Sequence, residues 1–154
     1  MPSVNAIDML REDHDKVREL LSELSNTTNR AAKKRSDLLQ KIKKEVLIHT
    51  QIEEEVFYPA FRDSQAEESK KLFYETKEEH RAVDELVLPD IESTETATDE
   101  FAGRVKVLKD MIEHHAEEEE KEIFPKAKKA LSKEELEQLG ERMAERKQEL
   151  EKQF

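Results

Sequence analysis

Apolar residues return along this chain at intervals of three and four, the period of one face of a helix. Ile7, Leu10, Val17, Leu20, Leu21 and Leu24 predict a first helix over residues 3 to about 27. Ser3 can cap its start, and the polar run from Ser25 to Asn29 is a natural stop. Leu38, Leu39, Ile42, Val46, Ile52 and Val56 predict a second helix, about 31–58. Pro59 should end or kink it, because proline has no backbone N–H to donate. Leu72, Phe73, Val83, Leu86 and Val87 are the inward face of a third, about 65–88, closed by Pro89, and residues 90–98 read as a linker. Phe101, Val105, Leu108, Met111, Ile112 and Ile123 then give a fourth, about 99–124. Ser132 and Glu135 form a capping box for a fifth helix with only a thin stripe, Leu136, Leu139, Met143 and Leu150. It is expected to pack on the outside or on another subunit. The fold class that follows is all-α: an up-down-up-down four-helix bundle over residues 1–130, with an additional C-terminal helix over 131–154.

Composition changes this picture little. Charged residues make up 42% of the 154 and hydrophobic residues 35%, which would suit disorder, but the apolar residues are periodic and the helical reading prevails. A net charge of −11 argues against nucleic acid as a partner, since phosphate binding needs a basic face. With no cysteine, disulfides, zinc thiolate sites and iron–sulfur clusters are excluded. The N-terminus lacks a basic patch followed by an apolar run, and no stretch approaches about 18 apolar residues, so a cytoplasmic protein without a membrane partner is expected.

The polar residues on these apolar faces carry the chemistry. His49 and Glu53, followed by Phe57-Tyr58-Pro59, reappear as His115 and Glu119, followed by Ile123-Phe124-Pro125. Each pair is preceded by a single histidine, His14 or His80, and the differences 80−14, 115−49, 119−53 and 125−59 are all 66. A histidine and a glutamate four apart project from one face of a helix and can reach one point beside it. His49 lies about 13 residues before the second turn and His80 about 16 after it, roughly 20 and 24 Å along antiparallel helices, so they arrive at nearly the same height. A lone histidine on such a face is more often packed than ligating. Here four of the five histidines and two inward glutamates obey one repeat, and buried carboxylates need a cation. His14, His49, Glu53, His80, His115 and Glu119 are therefore the expected metal ligands, a set that suits iron or a similar transition metal.

The neighbouring residues are assigned less directly. His114 and Glu118 share the four-residue spacing, but the repeat and the phase of Leu108, Met111 and Ile112 select His115. His114 is expected at the surface or supporting a ligand. Glu54, Glu55, Glu117 and Glu120 are expected on the solvated face, the other role open to them being support of a ligating imidazole. Tyr58 is expected to pack, its repeat mate being Phe124.

A lone His, a His-x-x-x-Glu pair, a second lone His and a second pair, with Phe-Tyr-Pro and Ile-Phe-Pro behind them, resemble the hemerythrin-like, HHE cation-binding domains over roughly residues 5 to 130. The resemblance implies a four-helix bundle holding two iron ions with an oxo or hydroxo bridge. His14 and His49 would bind one iron, His80 and His115 the other, and Glu53 and Glu119 would bridge both. Ferritin-like bundles use Glu-x-x-His instead, and here Val46, Lys77, Met111 and Ile112 stand three before the histidines. The oxygen-carrying hemerythrins have a histidine where this chain has Asp84, and an Asp five after the last His where this chain has Glu119, four after. The missing imidazole implies an open or water-filled position, or a bond to Asp84, and points from reversible O2 carriage towards O2-derived species, peroxide or NO, with catalase-like turnover as the enzymatic form. The alternative is an oxygen or iron sensor or carrier without turnover, signalling to a partner, or self-associating, through residues 132–154.

Overall fold

The computed structural model describes residues 5–154, and Ser3, expected as the first cap, lies outside that range. The side chain of Asn5 caps the first helix by accepting from the backbone N–H of Asp8. Five helical rods follow: α1 (Ala6–Ser25), α2 (residues 32–62), α3 (residues 69–92), α4 (residues 99–130) and α5 (Lys133–Glu151). Consecutive rods α1 to α4 pack side by side and α1 closes the ring against α4, which is the up-down-up-down bundle; α5 lies across α1 and α2. Thr98 caps α4, and Ser132 and Glu135 form the capping box of α5 that their spacing predicts.

The prolines do not end the helices. Each is preceded by a π-helical turn, Glu53–Phe57 in α2, Ala82–Val87 in α3 and Glu119–Ile123 in α4. The backbone N–H groups of Tyr58, Leu88 and Phe124 reach back five residues, to the carbonyls of Glu53, Val83 and Glu119. The wider turn leaves room for the ring of Pro59, Pro89 or Pro125, which in a straight α-helix would strike the carbonyl four residues earlier. One residue is thereby added to the turn and the phase of everything after it shifts. Leu86, expected inward, is 61% exposed, while Leu88 and Ile91 are buried in its stead. In α2 the shift buries Phe57, Tyr58 and Phe61. The third rod runs on to Glu92, so the linker shortens to residues 93–98.

The hydrophobic core is in two parts. One gathers Ile7, Leu10, Ile52, Phe57, Phe61, Phe124 and the stripe of α5; the other gathers Val17, Leu21, Ile42, Val46, Leu88, Phe101 and Leu108. Between them lies a layer of histidines and carboxylates. The far end of the second part is tied by Arg35, buried on α2. Its guanidinium donates to the carbonyls of Thr27 (3.3 Å) and Thr96 (2.7 Å), joining the α1–α2 turn to the α3–α4 loop.

Arg35→Ala should therefore cost about 2–4 kcal/mol, since several charge-assisted bonds and their buried acceptors are lost together. Urea unfolding would measure the loss. Metal content should not change, because this tie lies at the opposite end of the second core from the polar layer.

Candidate metal centre

His14 sits on α1 between Leu10 and Val17, His49 on α2 between Val46 and Ile52, and His80 and His115 at the matching height on α3 and α4. Glu53 and Glu119 each open a π turn one helical turn after a histidine, and neither has any exposed surface. The six side chains converge. Their donor atoms form two groups, His14, His49, Glu53 and Glu119, and Glu53, His80, His115 and Glu119, each with all donors within 4.8 Å of one another. The two glutamates belong to both groups.

The donors crowd one centre, where His80 Nε2 and His115 Nε2 stand 3.0 Å apart. His49 Nε2 and His80 Nε2 both stand 3.1 Å from Glu53 Oε1, His115 Nε2 stands 2.7 Å from Glu119 Oε1, and His14 Nε2 lies 3.5 Å from that same oxygen. Yet Nε2 of His14 and of His49 and both oxygens of Glu53 and of Glu119 are buried without a hydrogen-bond partner. Atoms bound to one ion at about 2.1 Å stand about 3 Å apart. Spacing, burial and the orphaned oxygens all fit a metal ion in each group.

Carboxylates also stand behind the imidazoles. Each Nδ1 faces one: His14 with Glu120 (2.7 Å), His49 with Asp13 (2.9 Å), His80 with Glu54 (3.6 Å) and His115 with Glu79 (3.0 Å). A carboxylate hydrogen-bonded at Nδ1 fixes the ring's tautomer and orientation and leaves Nε2 free to ligate. Glu120 thus takes the supporting role rather than the solvated one, while Glu54, half-exposed, stands beyond hydrogen-bond distance and leaves His80 Nδ1 without a partner. Asp13 and Glu79 were missed in the sequence, although they immediately precede His14 and His80 and obey the same 66-residue repeat. Glu55 pairs with Arg146 and Glu117 lies beside Lys121, away from the centre. His114 is 72% exposed, 3.6 Å from Glu118, on the surface as its helical phase requires.

Beside the layer lies a cavity of about 180 Å³. Its lining includes the four imidazoles, the apolar side chains of Val17, Val46, Val83, Met111 and Ile112, and Asp84. Asp84 belongs to neither donor group; one of its oxygens is buried without a partner, and burial raises its pKa to about 6. Tyr58 is wholly buried, stacked on His80, with its hydroxyl 3.5 Å from His115 Nε2. Burial, then the charges of Glu119 and Glu53, push its phenol well above the ordinary range, so it stays protonated.

Without a metal, protons take its place. Burial opposes the imidazolium of His49, but Glu53 and Asp13 outweigh it and raise the pKa to about 10; His80 and His115 are raised as well. Burial opposes ionisation of Glu119 too, but His115, then Glu53 and His14, hold it well below the usual carboxylate range. A raised histidine pKa stabilises the folded chain fully below the unfolded value of 6.5, and that contribution is lost as pH climbs through the folded value. The metal-free protein should lose stability between about pH 7 and 10, and the loaded protein, its histidines already deprotonated, should not. Metal uptake at pH 7 should release two or more protons, read by calorimetry in buffers of different ionisation enthalpy. Uptake without release would contradict this electrostatic picture.

Among solved structures, the chain is similar to a hemerythrin HHE cation binding domain-containing protein from Mycobacterium kansasii, at 29% identity and a TM-score of 0.82, over 96% of this chain and 87% of that one. Among curated proteins, it is 30% identical over 135 residues to a DNA nickase from Nostoc sp., covering 88% of this chain but 37% of that longer relative. The family model of the hemerythrin HHE cation binding domain matches residues 5–127, spanning all four ligand-bearing helices. The chain belongs to the hemerythrin HHE cation-binding domain family.

Proposed function

We propose that this chain is a non-haem di-iron protein that takes O2-derived species, peroxide or NO into the cavity beside its histidines, with catalase-like turnover of peroxide. The observation that carries this reading is the pair of four-donor groups sharing Glu53 and Glu119, next to a small cavity with a largely apolar lining. Residues 1–130 are the metal-binding unit, and 131–154 pack upon it. His14 and His49 would hold one iron, His80 and His115 the other, with Glu53 and Glu119 common to both. Two adjacent irons supply the two-electron change that peroxide cleavage or O2 reduction requires.

The chain's own residues do the remaining work. Val17, Val46, Val83, Met111 and Ile112 exclude bulk water and leave room for a small ligand. Asp84 places a carboxyl on the cavity wall and belongs to neither donor group, so a bound ion would keep a coordination position for the ligand. With its pKa near 6, Asp84 can hold or release a proton there close to neutral pH. Tyr58 keeps its proton at the opposite, packed side. The carboxylates hydrogen-bonded behind His14, His49 and His115 keep those Nε2 atoms directed inward.

No helix among the described residues is long and apolar enough to cross a membrane. The nicking activity named for the longer Nostoc relative is not carried over. The matched region is 37% of that protein, and a net charge of −11 offers phosphate no basic face. A sensor without turnover is the second reading. It is favoured by the contact of α5 with the centre, Lys147 to Asp13 at 2.8 Å and Asp13 to His49 at 2.9 Å.

The purified protein should contain about two irons per chain, with near-ultraviolet bands that change on adding azide or peroxide. His49→Ala and Glu119→Ala should lower both iron content and O2 evolution from peroxide at least about tenfold. Peroxide turnover untouched by either substitution would remove redox work from this site. For the sensor reading, hydrogen exchange across 133–151 should differ between metal-free and loaded protein; identical protection would leave turnover as the only reading.

A further inference from the structure

The repeat makes the two halves of the centre alike in ligands, but not in what surrounds them. On the His14/His49 side, both supporting carboxylates are themselves held by cations. Glu120 receives Arg18 Nη1 at 3.0 Å, and Asp13 receives Lys147 Nζ at 2.8 Å. On the His80/His115 side, no lysine or arginine among the described residues lies within 4.0 Å of Glu54 or Glu79. The repeat mate of Arg18 is Asp84, an acid in place of a base. One half is neutralised from behind, and the other is left negative.

Lys147 is placed for this by the helix that the family match, residues 5–127, does not include. The buried stripe of α5 runs Leu136, Leu139, Met143 and Leu150. Lys147 falls four after Met143 and three before Leu150, so it occupies an inward position where the stripe would otherwise continue with an apolar side chain. Its stem follows the stripe and its ammonium reaches Asp13, whose other oxygen holds His49 Nδ1. The adjacent Arg146 has the same stripe spacing and similar exposure, but it fastens α5 to Glu55 at 2.7 Å and touches no support of a ligand; what sets Lys147 apart is its target.

We infer that Lys147 is a positioning residue of the metal centre, acting through Asp13 on His49, and that with Arg18 it makes the two metal positions unequal, the His80/His115 position binding a cation more tightly. An ammonium on Asp13 withdraws charge from the Asp13–His49 pair, which makes His49 a poorer donor and adds a positive charge behind the ion it would hold. Removing it should strengthen that position. This rests on the metal-centre reading given above.

The test uses the full chain, freed of metal and titrated with Zn(II), following the imidazole NMR signals of the four histidines. In the wild type, the first equivalent should shift His80 and His115 ahead of His14 and His49, with a preference of roughly tenfold. Lys147→Met, which keeps the length of the stem, should cut that preference at least threefold, while Lys147→Arg should retain it. Arg146→Met breaks an equal clamp on the same helix and should leave the preference unchanged. With iron, Lys147→Met should favour the ferric state of one ion by about tenfold, equal to 59 mV for one electron. All four histidines shifting together in the wild type, or Lys147→Met behaving like Arg146→Met, would overturn the inference while leaving the metal centre standing. If Lys147→Met does not fold, the order of filling in the wild type still decides. A wild type that binds no Zn(II) or iron would bring down the metal-centre reading, and this inference with it.

Discussion

Two carboxylates without exposed surface, Glu53 and Glu119, lie across the middle of this bundle, and most of its structure answers to them. Desolvating an anion costs several kcal/mol even after relaxation, and an apolar core of similar volume would often be more stable. The chain instead surrounds the pair with four imidazoles and splits its core into two parts on either side. In the metal-free state the imidazoles answer the charge by holding protons; a cation would answer it better.

The internal repeat reaches further than the ligands. Asp13 and Glu79, like Glu54 and Glu120, form repeat pairs, and each stands behind a histidine. Glu54 follows a ligand of the first half but faces His80 of the second, and Glu120 likewise crosses back to His14. Neither half makes a complete centre by itself. Arg18 and Lys147 then break the symmetry that the repeat sets up.

Most of this was legible in the sequence because it is carried by position. The helices, the bundle and the six converging residues follow from a period of three to four and a repeat of 66, both of which survive without coordinates. What was not legible depends on backbone that departs from the period. Pro59 and Pro89 read as ends because a proline cannot continue a regular α-helix, and only the π turns ahead of them let the rods run on. Leu86 fell to the wrong face for the same reason, lying within the widened turn itself. The supporting acids Asp13 and Glu79 were hidden differently. In a chain with so many acids, a carboxylate next to a histidine carries no signal until the partner helix is in place, although the shared spacing was there to be read. Lys147, like Arg146, is a charged residue at the inward spacing of α5, but its target lies 134 residues away.

The π turns have a further consequence. A rod that has absorbed one additional residue ahead of a proline cannot give it up alone: deleting a single position within 53–57 or 119–123 would drive the proline ring back onto the carbonyl four residues earlier. Only a deletion joined to replacement of Pro59 or Pro125 would restore an ordinary turn. Glu53 and Glu119 head these two turns, so each proline keeps in place the widened backbone from which a shared carboxylate projects.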